Sequence, residues 1–296
     1  MPQPPPPELV AAIRSSITDE ICYAISGSRT GFLRWLSAPL FYLPANKFAQ
    51  IFARFDEEAG RTGLSSGTKL LLNEFSLKMT TQGTENIPAT GPLLLVANHP
   101  GTYDSVVIPS CIPRKDLKMV VSDVRVAHSL RSAIQYFVPV PLDPGAISGR
   151  MLALRSMVDH LQSGGALVIF ARGEVEPDPA VASGAYEDIA NWSPSLEIML
   201  RKVPDTWLQI VIASHMLLPQ FSKSPIIKIR HSPPQQQKLA EFMQVIQQLI
   251  FPKSVDANVR LSFAPPVSAG ELVQGEVMPA VIQLARQALQ EHIRQF

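Results

Sequence analysis

The sequence predicts an α/β fold with a mainly parallel central sheet flanked by helices, preceded by a small helical N-terminal region. Three observations point to it. From Ser76 onward, short apolar runs alternate with segments of helical period, the pattern of strands joined by crossover helices. Two of those runs, Leu93–Ala97 and Ala166–Phe170, are apolar without a break, as in strands buried on both faces. Before Ser76 the chain shows helical periods instead.

The elements follow in order. Residues 1–7, Met-Pro-Gln-Pro-Pro-Pro-Pro, form a Pro-rich leader expected to be disordered or polyproline II. The helical region spans 8–75. Leu9, Ile13, Ile17, Ile21 and Ile25 stripe one helix that Gly27 can end. Between 32 and 55, Phe32, Trp35, Phe41, Phe48, Phe52 and Phe55 stand among Arg34, Lys47 and Arg54. That mixture suits a helix lying in a membrane interface, and equally a helix turning its aromatics inward. Leu64–Phe75 forms one more helix. The α/β domain spans 76–296. Its expected strands are Leu77–Thr81, Leu93–Ala97, Lys118–Ser122, Phe137–Leu142, Ala166–Phe170, Leu208–Ala213 and Val259–Phe263. Its expected helices are 104–111, Ser129–Tyr136, Ile147–Gln162, Ser195–Lys202, 235–251 and Val277–Gln295. The apolar stripe from Leu239 to Ile250 reads as core packing.

Composition narrows the function. At 296 residues and 46% hydrophobic content the core is ample, while a net charge of +1 gives no bulk attraction to nucleic acid. Cys22 and Cys111 suggest no disulfide framework. The start lacks the basic and apolar regions of a signal peptide, and no apolar run reaches the ~18 to 20 residues that span a bilayer. No histidine pair has metal-ligand spacing, so no metal is expected. Gly63-Leu-Ser-Ser-Gly67 matches a serine-hydrolase elbow, but no strand precedes it, as that elbow requires. The acidic run Glu174, Glu176, Asp178 reads as a solvated loop rather than a cation site.

The chemistry concentrates at Leu93–Asp104, Leu-Leu-Leu-Val-Ala-Asn-His-Pro-Gly-Thr-Tyr-Asp. A buried strand delivers Asn98 and His99 to its carboxyl end, where open α/β sheets carry their active sites. Thr102 stands where a helix N-cap belongs. Asp104 falls in the opening turn, close enough to fold back and accept a hydrogen bond from one imidazole nitrogen, leaving the other as a base. On spacing alone, a polar loop with a capping carboxylate is the favoured reading.

Asn-His-Pro-Gly-Thr-Tyr-Asp after a hydrophobic strand resembles the His-X4-Asp signature of the glycerol-3-phosphate and 1-acylglycerol-3-phosphate acyltransferase family. Phe170-Ala-Arg-Gly173-Glu174-Val-Glu176 lies where that family carries Phe-Pro-Glu-Gly-Thr-Arg. Phe170 and Gly173 match, whereas Arg172, Glu174 and Glu176 depart from it. Val138-Pro-Val-Pro-Leu-Asp143-Pro144 resembles the second block with Pro144 in place of its cation.

The resemblance implies acyl transfer without a cofactor. His99 is the general base, Asp104 its orienting partner, and acyl-CoA or acyl-carrier protein the co-substrate. Asn98, Gly101, Tyr103, Arg172, Gly173 and Glu174 are the expected substrate-binding residues, with amides near Gly101 and Gly173 facing the oxyanion. The implied acceptor is glycerol 3-phosphate or lysophosphatidate. Glu174 and Glu176 in the cation's place also admit an acceptor without phosphate, such as a glycolipid, a polyol or an amine; a catalytically silent lipid-binding protein is the reading outside enzymology. The expected location is cytoplasmic, peripheral on the inner face of a membrane where residues 32–55 make contact.

Overall fold

The computed structural model describes residues 5–26, 39, 41–251 and 254–296. Among them one sheet contains β1 (Lys78–Gln82), β2 (Leu93–Ala97), β3 (Leu117–Ser122), β4 (Phe137–Val140), β5 (Ala166–Phe170), β6 (Trp207–Ser214), β7 (Asn258–Phe263) and β8 (Val267–Ser268). The strand order is β1-β7-β6-β2-β5-β3-β4, with β8 beside β6. β6 runs antiparallel to β7 and β8, and every other pairing is parallel. The main helices are α1 (Pro7–Ser26), α2 (Tyr42–Thr62), α3 (Leu64–Glu74), α4 (Asp104–Ser110), α5 (Ile147–Gln162), α6 (Ser195–Lys202), α7 (Pro233–Ile250) and α8 (Val277–Gln295).

β2 is central because all five of its side chains are apolar and buried. Side chains alternate across a strand, so Leu93, Leu95 and Ala97 enter one core with α1 to α4, while Leu94 and Val96 enter the other with α5, α6 and α8. Each buried leucine contributes roughly 1.5–3 kcal/mol. The change at 75/76 is therefore one of secondary structure and not of core, since Leu9, Ile13, Phe55 and Leu71 pack with Leu93 and Leu95.

Several expectations are corrected. Pro7 opens α1 rather than closing a leader, as proline favours the first helical position. Ser129–Tyr136 is not a continuous helix: one turn ends at Ser129 and a separate 3-10 turn covers Ala133–Tyr136. The Asp56 carboxylate on α2 accepts the amides of Ser132 and Ala133 at 2.9 and 2.7 Å, which fixes a new start there. β4 stops at Val140 instead of Leu142. Of the aromatic stretch, Phe32, Trp35 and their neighbours through 38 lie outside the described residues. Phe48 and Phe52 stack at 4.0 Å and Phe55 is buried, whereas Tyr42 and Leu43 are exposed.

Candidate active site

β2 ends at Ala97, and Asn98 continues its ladder with a side chain. The Asn98 amide nitrogen donates to the Ala213 carbonyl at 3.0 Å, and its oxygen accepts from the Ala213 amide at 2.8 Å. Both polar ends of Asn98 thus bind β6, so it fixes the turn.

His99 follows, its ring stacked on Phe170 at the end of β5, with centroids 4.4 Å apart. Its Nδ1 lies 2.7 Å from Asp104 Oδ2. The same carboxylate oxygen accepts the Gly101 amide at 3.1 Å. Asp104 is fully buried, whereas the His99 side chain remains 23% exposed, leaving an imidazole that is held from within and open on one side. Gly101 is needed for close approach: a Cβ there would lie 3.2 Å from Met216 Cβ and 3.5 Å from Glu241 Oε1.

Several expected roles change. The Gly101 amide donates to Asp104, and the Gly173 amide donates to the Phe170 carbonyl at 3.0 Å, so these two amides are engaged within the protein. Gly173 has φ +78, a left-handed conformation that glycine adopts without strain. Tyr103, not Thr102, occupies the N-cap position of α4, and no side chain caps it. The Tyr103 hydroxyl is buried and donates to Gln248. Arg172 pairs with Asp188 and lies 3.7 Å from Glu174. Glu174 itself is exposed.

Glu176 and Asp178 are not a solvated loop. Glu176 Oε2 accepts the His99 amide at 2.7 Å and Oε1 accepts Trp192 Nε1 at 2.8 Å. Asp178 accepts the amides of Ala180, His215, Met216 and Leu217 at 2.7 to 3.3 Å. These two carboxylates bind the loop after β5 to the turns after β2 and β6.

Residues 78–202, from β1 through α6, match the family model described as Acyltransferase. That segment, which carries His99 and Asp104, is similar to the acyltransferase family. The crystal structure of the 1-acyl-sn-glycerophosphate (LPA) acyltransferase PlsC from Thermotoga maritima is similar at 14% identity and TM-score 0.45, over 95% of this chain and 98% of that chain. No curated protein matches the sequence.

The dyad is closed by α7, beyond the matched segment. Gln237, Glu241, Gln244 and Gln248 recur at helical spacing on one face. Gln237 Nε2 donates to the carbonyls of Pro100 and Glu176 at 2.9 and 3.1 Å. Glu241 Oε2 accepts the Thr102 hydroxyl at 2.8 Å. Gln244 binds the backbone of Met216 and Leu218 at 2.8 Å each, and Gln248 donates to the Phe75 carbonyl. Glu241, Gln244 and Gln248 are buried, while Ile250 on the opposite face is exposed. Sequence reasoning misses this stripe because a polar face ordinarily reads as solvated; its even 4-3-4 spacing was the available signal.

Electrostatics reflect that enclosure. Burial pushes the His99 imidazole down, but the Asp104 carboxylate, with Glu241 and Glu176 behind it, outweighs burial and raises it above the usual value. Burial drives Glu176 and Glu241 each up to about 7 despite their hydrogen bonds. Glu241 Oε1 and Asp104 Oδ1 are buried without a hydrogen-bond partner among the described residues.

Proposed function

We propose that this acyltransferase moves a fatty acyl group from acyl-CoA or acyl-carrier protein to a hydroxyl of glycerol 3-phosphate or lysophosphatidate, a step of phospholipid synthesis. The 2.7 Å contact between His99 Nδ1 and Asp104 Oδ2, beneath a partly exposed ring, carries this reading. With Nδ1 donating to Asp104, Nε2 keeps its lone pair and takes the proton of the acceptor hydroxyl as its oxygen attacks the thioester carbonyl. Collapse of the tetrahedral intermediate breaks the carbon–sulfur bond, and the imidazolium returns the proton to the leaving thiolate. Asp104 orients the ring and stabilises its charged form without itself accepting the proton. Holding both substrates in one cleft removes any need for a protein nucleophile.

A second reading, an acceptor without phosphate, is supported by Arg172, the cation displaced within the third block, because Asp188 and Glu174 already engage it. Glu176 no longer argues for that reading, since it is buried against His99 and Trp192. A silent lipid binder would have no use for a preserved His-Asp contact.

The test is product analysis after incubating the chain with each of palmitoyl-CoA and palmitoyl-acyl-carrier protein and, separately, glycerol 3-phosphate, lysophosphatidate or a neutral polyol. An acylated phosphate product supports the primary reading. Product from the polyol alone moves the assignment to the second, and no acylated product from any acceptor contradicts both.

A further inference from the structure

The surface beside the site has a composition the catalytic reading does not use. From Thr206 to Ala240 the sequence contains no Asp or Glu, but it contains Lys223, Lys228, Arg230 and Lys238. Within it, Pro225–Ile229 forms a 3-10 turn. Such a turn has three residues per revolution, so side chains at i and i+3 align. Ile226 and Ile229 hold that relationship and are 54% and 66% exposed. Ile227 between them is buried with Leu217, Phe221 and Leu239, which anchors the turn and presents its neighbours outward. Lys223 and Lys228 are exposed, and neither has an ion pair among the described residues.

The position of this turn gives the composition meaning. It lies between β6 and α7, and β6 runs parallel to β2, so the segment leaves the sheet at the end where β2 delivers His99. α7, which follows directly, touches the His99 turn through Gln237. On the other side of β2, β4 points the same way through β3 and β5. After β4 come Leu142, Ile147 and Met151, all exposed, with Arg150 exposed among them. Exposed aliphatic side chains therefore flank the dyad on both sides, with Lys223 and Lys228 beside the first group and Arg150, together with the carboxylate of Asp143, beside the second.

We propose that Lys223–Ile229 docks the protein onto an anionic lipid bilayer, with the β4 to α5 corner as a second contact. Ile226 and Ile229 enter the interfacial layer as apolar groups, while Lys223 and Lys228 meet the negative headgroups. Cations without nearby carboxylates select an anionic surface over a neutral one. This inference stands on surface chemistry and does not depend on which acceptor is used.

Co-sedimentation of the full chain with vesicles tests it, using phosphatidylcholine alone or mixed with about one-third phosphatidylglycerol. Wild type is expected to pellet preferentially with the anionic vesicles, less so as salt is raised. Replacing both lysines, Lys223→Gln with Lys228→Gln, should lower the anionic partition coefficient on the order of tenfold or more. Ile226→Ser with Ile229→Ser should weaken binding to both vesicle types severalfold. All four side chains are outside the dyad and its supports, so melting temperatures should stay at the wild-type value. Wild type showing no preference for anionic vesicles, or both double variants pelleting like wild type, would overturn the proposal while leaving the acyl-transfer reading intact.

Discussion

His99 and Glu176 hold each other through the main chain: the Glu176 carboxylate accepts the His99 amide at 2.7 Å, and the His99 carbonyl accepts the Glu176 amide at 2.8 Å. The residue that departs from the family's third block is thus tied to the first block's histidine from behind. Its second oxygen, on Trp192 Nε1, fixes the carboxylate in that pose.

Glu176→Ala should therefore damage the fold and the site together. It strands two buried donors and leaves a small cavity, at a cost of about 2–4 kcal/mol. Thermal unfolding should show a melting temperature several degrees lower. Trp192→Phe, which removes one donor, should cost less.

Asp104→Asn tests orientation. An Asn oxygen in the place of Asp104 Oδ2 can still accept from both His99 Nδ1 and Gly101 N, but the negative charge is gone. Acyl transfer should fall by about two orders of magnitude or more while the melting temperature changes far less. Single-turnover transfer rates alongside calorimetry would separate the two effects.

Glu241→Gln should change two pH profiles. Removing a charge that raises the His99 pKa should shift the acid limb of kcat/KM toward lower pH, because neutral His99 then persists further into acid. Glu241 rises from 4.5 to about 7 on folding, so the stability tied to its proton is present below about pH 4.5 and lost as the pH rises through about 7. Wild type should lose stability over that window, and Glu241→Gln should lose less, by about 1–3 kcal/mol above it. Urea melts across the range provide the check.

Asp178→Ala leaves the amides of His215, Met216 and Leu217 without their carboxylate. Destabilisation of at least about 3 kcal/mol is expected, visible as a lower urea midpoint.

The sheet was legible because its strands are continuous apolar runs: Leu93–Ala97 and Ala166–Phe170 form as read, to the residue. The His99–Asp104 contact was legible because the residues around it, Asn98 and Pro100 to Tyr103 after a buried strand, single out a spacing that alone reads as a capped polar loop. The supports were not. Glu176 and Asp178 look like solvated acids until the turns after β2 and β6 place backbone amides around them. Glu241 sits on a helix whose polar face points inward, and the 4-3-4 spacing marks that face without saying which way it turns. The Ser129–Tyr136 helix failed for a similar reason, since Asp56, far away in sequence, captures the amides that break it.

The most direct test of the central claim is thiol release from palmitoyl-CoA in the presence of lysophosphatidate by wild type and His99→Ala. His99 as general base predicts acceptor-dependent release by wild type, and a loss of at least about a hundredfold in a variant that melts near the wild-type temperature. Equal release by the two proteins would contradict the account.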